Sequence, residues 1–548
     1  MPYDPLNPKD VWSKVERLKQ KFTARDALLK ECEAILDVLP TDWFPERRLV
    51  QHEGAKAMLQ TQAQRATVLV AQEFRIRLPM KPQMAQADST RLEHMELMLG
   101  GAVDIFREQA RLQNRRRPDY RLAASAVERG AIAAYWYWKE GLRGWRPCLE
   151  IYDPISVYYE SADDGMTEAV VGFTYDEAFL AGYIKQQPLW SGTYDQASSD
   201  QKTFYFCWSR EPGTNKVSWG VVGQEGKGQN SDTKQNLVEM HEDENHLWIP
   251  ISYIPAGGPF ARESTSGQPF VATMMADRET AAFFTRLYIT GALLAAQPPI
   301  EHQDPSGGST TPEFVPGEVT KTPPGSTSTA IQLTNPAALA PIGAQIAQSF
   351  SLIEQKGLGG APSGQPSIPR SELLRQGLAE SINQMAMPFV DCYESGWVDG
   401  LTMIRDQAHT LMKNGSLKEI NLEVVPKGQF VSRPRRELAS YKKEDLFWDG
   451  AIGITLRPKQ TRESIVANFQ TFAMVRQNEP RIPASYLMEE LLDFEQASLL
   501  LAQGDEELLD AAMAPAVMLL RLEKRRDRLT ALLNPVKGSE YIATPSPE

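Results

Sequence analysis

The chain has 548 residues and a mass of 61.3 kDa, with 42% hydrophobic and 23% charged residues, proportions that fit poorly with wholesale disorder, collagen-like repetition or membrane spanning. Lys plus Arg number 58 against 70 Asp plus Glu, and the resulting charge of −12 opposes any large surface built to hold nucleic acid by its phosphates. At roughly 150 residues per domain, the length predicts three or four structural units.

From Val11 to about Arg146 the periodicity predicts helices: Trp12, Val15, Leu18 and Phe22 share one face, and Leu28, Leu29, Ile35 and Leu36 continue in the next segment. We take 1–148 as a helical part. At Leu149 the chemistry changes to β-branched and aromatic residues around Asp153-Pro154. Strands are predicted through Val157-Tyr158-Tyr159 and at Glu168 to Tyr175, Thr203 to Ser209, Val217 to Val222 and Leu247 to Ile254. This sheet-rich segment, 149–268, precedes a predicted helix over 269–297. Pro298-Pro299 stops that helix, because proline lacks the amide donor and disfavours helix in the residue before it.

Pro, Gly, Ser and Thr make up 22 of the 38 residues from Pro298 to Asn335, yet Glu313-Phe314-Val315, Gly317-Glu318-Val319 and Ala330 to Leu333 could form short strands. A small loop-rich subdomain is expected over 298–335, followed by a second helix over 336–356. The segment 357–369 has no charged side chain and several Gly and Pro residues, which predicts a mobile loop. Beyond it, Leu374, Leu378, Ile382, Met385, Phe389, Tyr393, Trp397, Leu401, Ile404, Ala408 and Leu411 form one apolar stripe. They predict a helix over 370–413 of roughly 60 Å, kinked or broken at Pro388. Asn414-Gly415 is a helix stop, and short strands are predicted over 414–460 at Ile420 to Val425, Gly428 to Ser432 and Ile452 to Leu456. Helical periodicity returns over 461–533, and 534–548 reads as a loose tail. The fold class expected is α+β, mainly helical.

Searches for chemistry return little. Phosphate cradling needs GxxxxGK[ST], but in Val221 to Gly228 the first glycine position is Val221 and the hydroxyl position is Gly228, so a turn between strands is the better reading. His241-Glu242-Asp243-Glu244-Asn245-His246 has a five-residue spacing where HExxH needs four, and it reads as a solvated loop. Asp163-Asp164 with Glu168 flanks Gly165, an ordinary polar turn. GxSxG is absent. The basic clusters Arg115-Arg116-Arg117, Arg433 to Arg436 and Arg521 to Arg528 are short, and a solvated or salt-bridged face is the simpler account of them. Cys32, Cys148, Cys207 and Cys392 lie far apart without a CxxC, indicating neither a disulfide framework nor a thiolate zinc site. The N-terminus lacks a basic segment leading into an apolar run. The most apolar window, Ala281 to Ala296, is interrupted by Arg286, so secretion and membrane insertion are not expected. No enzyme activity, cofactor or metal is expected.

The order of parts is more informative than any motif. Ile151-Tyr152-Asp153-Pro154-Ile155-Ser156-Val157-Tyr158, Pro250 to Pro255, Ala295-Ala296-Gln297-Pro298-Pro299 and Val315-Pro316-Gly317-Glu318-Val319 frame a chain that resembles the portal proteins of tailed bacteriophages. The resemblance implies a homo-oligomeric ring, commonly of twelve subunits, at one vertex of a capsid, and residence in the virion. It further implies a channel for double-stranded DNA in packaging and ejection, and partners comprising a separate terminase ATPase, a tail adaptor, the major capsid protein and a scaffolding protein. By chain order, 269–297 and 336–356 would be stem helices, 298–335 the clip, 357–369 the tunnel loop, 370–413 a long wing helix and 461–533 the crown.

The resemblance places Lys356, Gly357, Gly359, Gly360, Ser363, Gln365 and Arg370 facing DNA, and Glu301, Asp304, Glu313, Phe314, Glu318 and Lys321 at the motor and adaptor docking site. Phe283, Phe284, Leu287, Tyr288, Leu293 and Leu294 would pack between neighbouring subunits, or else within one chain. A channel wall that does not grip phosphates suits sliding DNA. The alternative is another structural virion component, such as a tail adaptor or a scaffold-like capsid protein.

Overall fold

The computed structural model describes residues 8–36, 54–78, 86–141, 144–163, 165–176, 201–210, 217–224, 235–243, 248–256, 267–296, 300–303, 319–322, 336–356, 372–424 and 437–457. The predicted segments 357–369 and 461–533, and the strand at Gly428 to Ser432, lie outside these residues. The chain divides into two compact units, Met1–Val424 with Leu438–Pro458, and Val425–Glu437 with Lys459–Glu548; the elements below belong to the first, apart from Glu437 itself. The fold is α+β, built of helices and antiparallel sheets with one short parallel pair.

Helices α1 (Pro8–Lys21) and α2 (Thr23–Leu36) open the described chain, followed by α3 (Gly54–Val70), β1 (Glu73–Arg77), α4 (Gln86–Leu112) and α5 (Pro118–Arg129). The helical expectation up to Arg146 fails at two places. β1 interrupts it, and β2 (Ala131–Gly141) and β3 (Gly144–Tyr152) start the sheet well before Leu149. The reason is burial on both faces. β2 is the centre of an antiparallel sheet ordered β3-β2-β9, with β9 at Ile251–Pro255, and its Ala131, Ile132, Ala133 and Ala134 are all buried. A strand covered on both sides loses the alternation that would mark it in sequence.

The second sheet is an antiparallel meander of β4 (Val157–Ala162), β5 (Gly165–Asp176), β6 (Gln201–Arg210), β7 (Val217–Gln224) and β8 (Gln235–Asp243). β8 was not anticipated: its residues include His241, placed opposite Trp219 in the ladder rather than in a loop. The strand foreseen from Leu247 begins only at Ile251. α1 lays its predicted face, Val11, Trp12, Val15, Leu18 and Phe22, on this sheet, all five buried with Val170, Val171, Tyr205 and Trp208. Lys14 Nζ reaches Glu168 at 2.8 Å, and Arg17 bridges Glu160 and Glu168 at 2.7 Å each. Arg25 on α2 is buried, donating to the Val157 carbonyl at 2.8 Å and the Tyr253 hydroxyl at 3.2 Å, with Asp26 as its counter-ion.

α6 (Met275–Ala296) is entered through a 3-10 turn at Phe270–Met274, then come β10 (Ile300–Gln303), β11 (Val319–Thr322), α7 (Pro336–Lys356) and α8 (Glu372–Lys413). β10 pairs with β11 in parallel, Ile300 opposite Val319. The predicted strands at 313–315 and 330–333 lie outside the described residues, as do Gly317 and Glu318, whereas Val319 of the strand predicted at 317–319 opens β11. β12 (Ile420–Val424) pairs with β13 (Glu437–Tyr441), and β14 (Gly453–Arg457) pairs antiparallel with β1, Glu73 opposite Arg457.

α8 holds the body together. Its stripe Phe389, Tyr393, Trp397, Leu401, Ile404, Ala408 and Leu411 is buried as predicted, against Ile132, Trp136 and Trp138 of β2. The Ile404 carbonyl accepts from the Trp138 indole at 2.8 Å, and Gln407 accepts from the Trp138 amide at 3.0 Å. The helix runs through Pro388 without the predicted break. Pro388 and Met387 are exposed, so the proline ring lies on the solvent side, away from the core that the stripe covers.

Candidate functional site

The strongest candidate is the hairpin of α6 and α7. Its root is built on two glycines. Gly130 ends α5 at φ +68°, and Gly267 stands beside it at φ +99°; a Cβ on Gly130 would lie 2.5 Å from the Gln268 carbonyl carbon. Both backbones therefore need glycine, for left-handed φ and for close approach. The Gly130 carbonyl accepts from Ala256 at 2.7 Å and the Ala256 carbonyl from Gln268 at 2.9 Å, which ties the entry of the hairpin to the sheet. Phe270, Val271 and Met274 are then buried in the main core, with Phe270 edge-on to Phe389 of α8 at 5.8 Å. Ala281 on the outgoing helix and Ile353 on the returning one are fully buried in that core, with Phe350 packed against it.

Beyond this root the helices pack on each other antiparallel: a Cβ on Gly343 would meet the Tyr288 ring at 3.8 Å, and both residues lie similarly far from the connection. From Ala281 to Ala296 the arm extends about 22 Å at 1.5 Å per residue. No charged residue occurs from Leu287 to Ala296 or from Pro336 to Ile353. Thr285 and Ala281 turn inward and are buried. Away from them Phe283 is 62% exposed and Leu287 44%, with the Phe284 ring edge-on to Phe283 at 5.4 Å, while Tyr288, 39% exposed, lies on the Ala281 side, where it meets Gly343 of α7. A spacing of four puts Phe283 and Leu287 on one helix face, with Phe284 beside them. Within the chain that face is only partly covered. Arg286 is the one charged residue between Ala281 and Ala296, and large apolar residues exposed together are of the kind found at surfaces between molecules.

The other predicted residues fall as follows. Leu293 and Leu294 lie on the distal part of α6, Lys356 ends α7, Glu301 lies in β10 and Lys321 in β11. Lys321 is exposed and pairs in register with His302. Asp304, Glu313, Phe314 and Glu318, and Gly357, Gly359, Gly360, Ser363, Gln365 and Arg370, lie outside the described residues.

Of the residues weighed for catalysis, Asp164, 225–228 and 244–246 lie outside the described residues, and the others are placed as follows. Glu168 is held by Lys14 and Arg17, and Asp163 belongs to the β4–β5 turn, where Gly165 takes φ +111°. Val221, Val222 and Gly223 are strand residues of β7, which leads to an antiparallel neighbour rather than to the helix a phosphate loop requires. Among the described residues no group of His, Cys, Asp and Glu is placed to hold a metal ion, and no helix is long and apolar enough to cross a membrane. All four cysteines are buried free thiols; burial pushes Cys32 up to about 11 and Cys207 and Cys392 up to about 12.

Sequence reasoning missed how the charges at the α4–α5 turn are distributed. Only the structure shows that Asp119 is taken by Arg107, in a two-pronged contact of 3.0 Å per prong, rather than by the adjacent arginines. A scan against protein-family models finds no match for this chain, and a search of curated proteins finds none.

Proposed function

We propose that the chain is the subunit of a portal ring, a structural component of a virion rather than an enzyme. The observation that carries the reading is the α6–α7 hairpin: a two-helix arm without charged residues over 287–296 and 336–353, with Phe283 and Leu287 exposed on one face, rooted in an α+β body and interrupted by a short-stranded insert. Identical arms placed side by side around an axis would each cover the Phe283 and Leu287 face of a neighbour, a heterologous contact that closes only by rotation. On this reading α6 and α7 form the stem, and β10 and β11 belong to the clip that meets the packaging ATPase and the tail adaptor. The 357–369 segment borders the channel for double-stranded DNA, α8 crosses the wing, and the ring sits at one capsid vertex, commonly as twelve subunits.

Electron microscopy of the purified chain, classified by rotational symmetry, tests this. Rings of about a dozen subunits with an axial hole wide enough for duplex DNA are the expected result. A closed oligomer without a channel, or monomers that also fail to form rings when co-expressed with capsid protein, would overturn it.

A further inference from the structure

The turn between α4 and α5 presents a second surface. Residues 111–117 are all exposed, and they hold Arg111, Arg115, Arg116 and Arg117. Arg111 pairs with Glu108 at 3.4 Å. Arg115, Arg116 and Arg117 have no ion pair among the described residues, and the one carboxylate next to them in the chain, Asp119, is buried and spent on Arg107. Arg116 lies over the Tyr120 ring at 4.9 Å. Arg121 behind them is also cationic, its Nη2 donating to the Ile151 carbonyl at 3.2 Å; burial first, and then the charge of Arg115, lowers its pKa. In a chain of net charge −12 this is a concentrated positive patch, uncompensated among the described residues.

Helix stability does not account for it. Arg117 is the N-cap of α5 and makes no side-chain capping bond, at a position where Ser, Asp or Asn would serve better and where the helix dipole disfavours a cation. The backbone beneath is fixed. Amides of Gln113, Asn114 and Arg115 donate to Gln109, Arg111 and Ala110 at 3.0, 3.1 and 2.8 Å, Asn114 takes φ +53°, and the Arg107–Asp119 pair clamps the two helices across the turn. Three consecutive guanidinium groups are thus displayed on a preorganised loop, which lowers the entropy cost of engaging a partner.

We infer that this turn binds the phosphodiester backbone of nucleic acid without reading its sequence. Guanidinium suits phosphate oxygens, which it can engage in a planar two-pronged way. Leu112 is the single exposed large apolar residue on the turn, so the turn itself offers little apolar surface to a peptide's side chains, whereas phosphates demand only charge and donors. The inference stands independently of the portal reading, since it concerns neither the hairpin nor the 357–369 segment.

The test is binding of the full chain to a fluorescent 30-base-pair duplex between 25 and 200 mM NaCl, compared with the R115Q/R116Q/R117Q variant. Each phosphate contact contributes about 0.9 to the slope of log K against log salt. The wild type should therefore show a slope steeper by about 2.7, so that doubling the salt weakens it roughly sixfold more than the variant. A triple Lys variant should keep the steep slope, which separates charge from fold. Equal slopes for wild type and the Gln variant, or no duplex binding by the wild type at 25 mM salt, would overturn the inference. So would binding of a poly-glutamate peptide that depends on the three arginines while duplex does not bind.

Discussion

Gly400 is where α8 comes closest to β2, and replacing it with Ala is a stringent test of the packing. A Cβ there would lie 2.2, 2.3 and 2.5 Å from three carbons of the Trp136 indole, well inside contact distance. The ring has nowhere to go: it is fully buried, bounded by Phe106 at 5.8 Å and Trp397 at 5.6 Å, and its Nε1 donates to the Ser252 hydroxyl at 2.9 Å. Overpacking of this kind costs about 1–3 kcal/mol, and breaking the indole hydrogen bond about 1 kcal/mol or more. Against this stands a gain of about 1 kcal/mol from Ala over Gly in a helix interior. The net expectation for G400A is about 2 kcal/mol of destabilisation, a Tm lower by about 2–4 °C in a body of this size.

Two other helical glycines serve as internal controls. Gly100 in α4 has nothing within 4 Å of its Cβ position, so G100A should stabilise by up to about 1 kcal/mol. Gly396 would meet only the flexible end of Ile132 at 2.9 Å, so G396A should fall between the two. Thermal and urea unfolding followed by tryptophan fluorescence measures all three. A G400A protein as stable as the wild type would refute the placement of α8 on β2.

Further outcomes follow from the exposed arm and from the buried thiols. Phe283→Lys combined with Leu287→Lys should abolish self-association in sedimentation velocity while changing monomer stability by about 0.5 kcal/mol or less per site, because both side chains already face solvent. An unchanged oligomer would exclude this face as the subunit contact. At pH 8 the raised pKa values of Cys32, Cys207 and Cys392 leave roughly one thiol in a thousand or fewer ionised. A thiol-reactive disulfide reagent should therefore leave these three unmodified for many minutes in the native chain and modify all four cysteines at once in guanidinium. Rapid native reaction would show that the cores around them open readily.

What the sequence alone determined is what local pattern encodes. The α1 face that covers the meander, the strands flanking Asp153-Pro154, the helix ended before Pro298-Pro299 and the long stripe of α8 each follow from periodicity or from proline chemistry within a few residues. The apolar run Phe283, Phe284, Leu287 and Tyr288 was visible, but pattern could not say that the chain would leave Phe283 and Leu287 uncovered while Tyr288 meets Gly343.

Tertiary structure decided the rest, because the deciding partners lie far away in sequence. β2 opens with Ala131, Ile132, Ala133 and Ala134, buried on both sides, so this half lacks the alternation of a half-buried strand, although Tyr135 to Trp138 that follows is the aromatic run a strand favours. β1 becomes a strand by pairing with β14, whose residues come some 380 positions later. Pro388 is tolerated because it falls on the solvent side of α8. The arginines at 115–117 differ from an ordinary salt-bridged surface only because Arg107 reaches Asp119 first, a competition settled by three-dimensional distance and not by order along the chain.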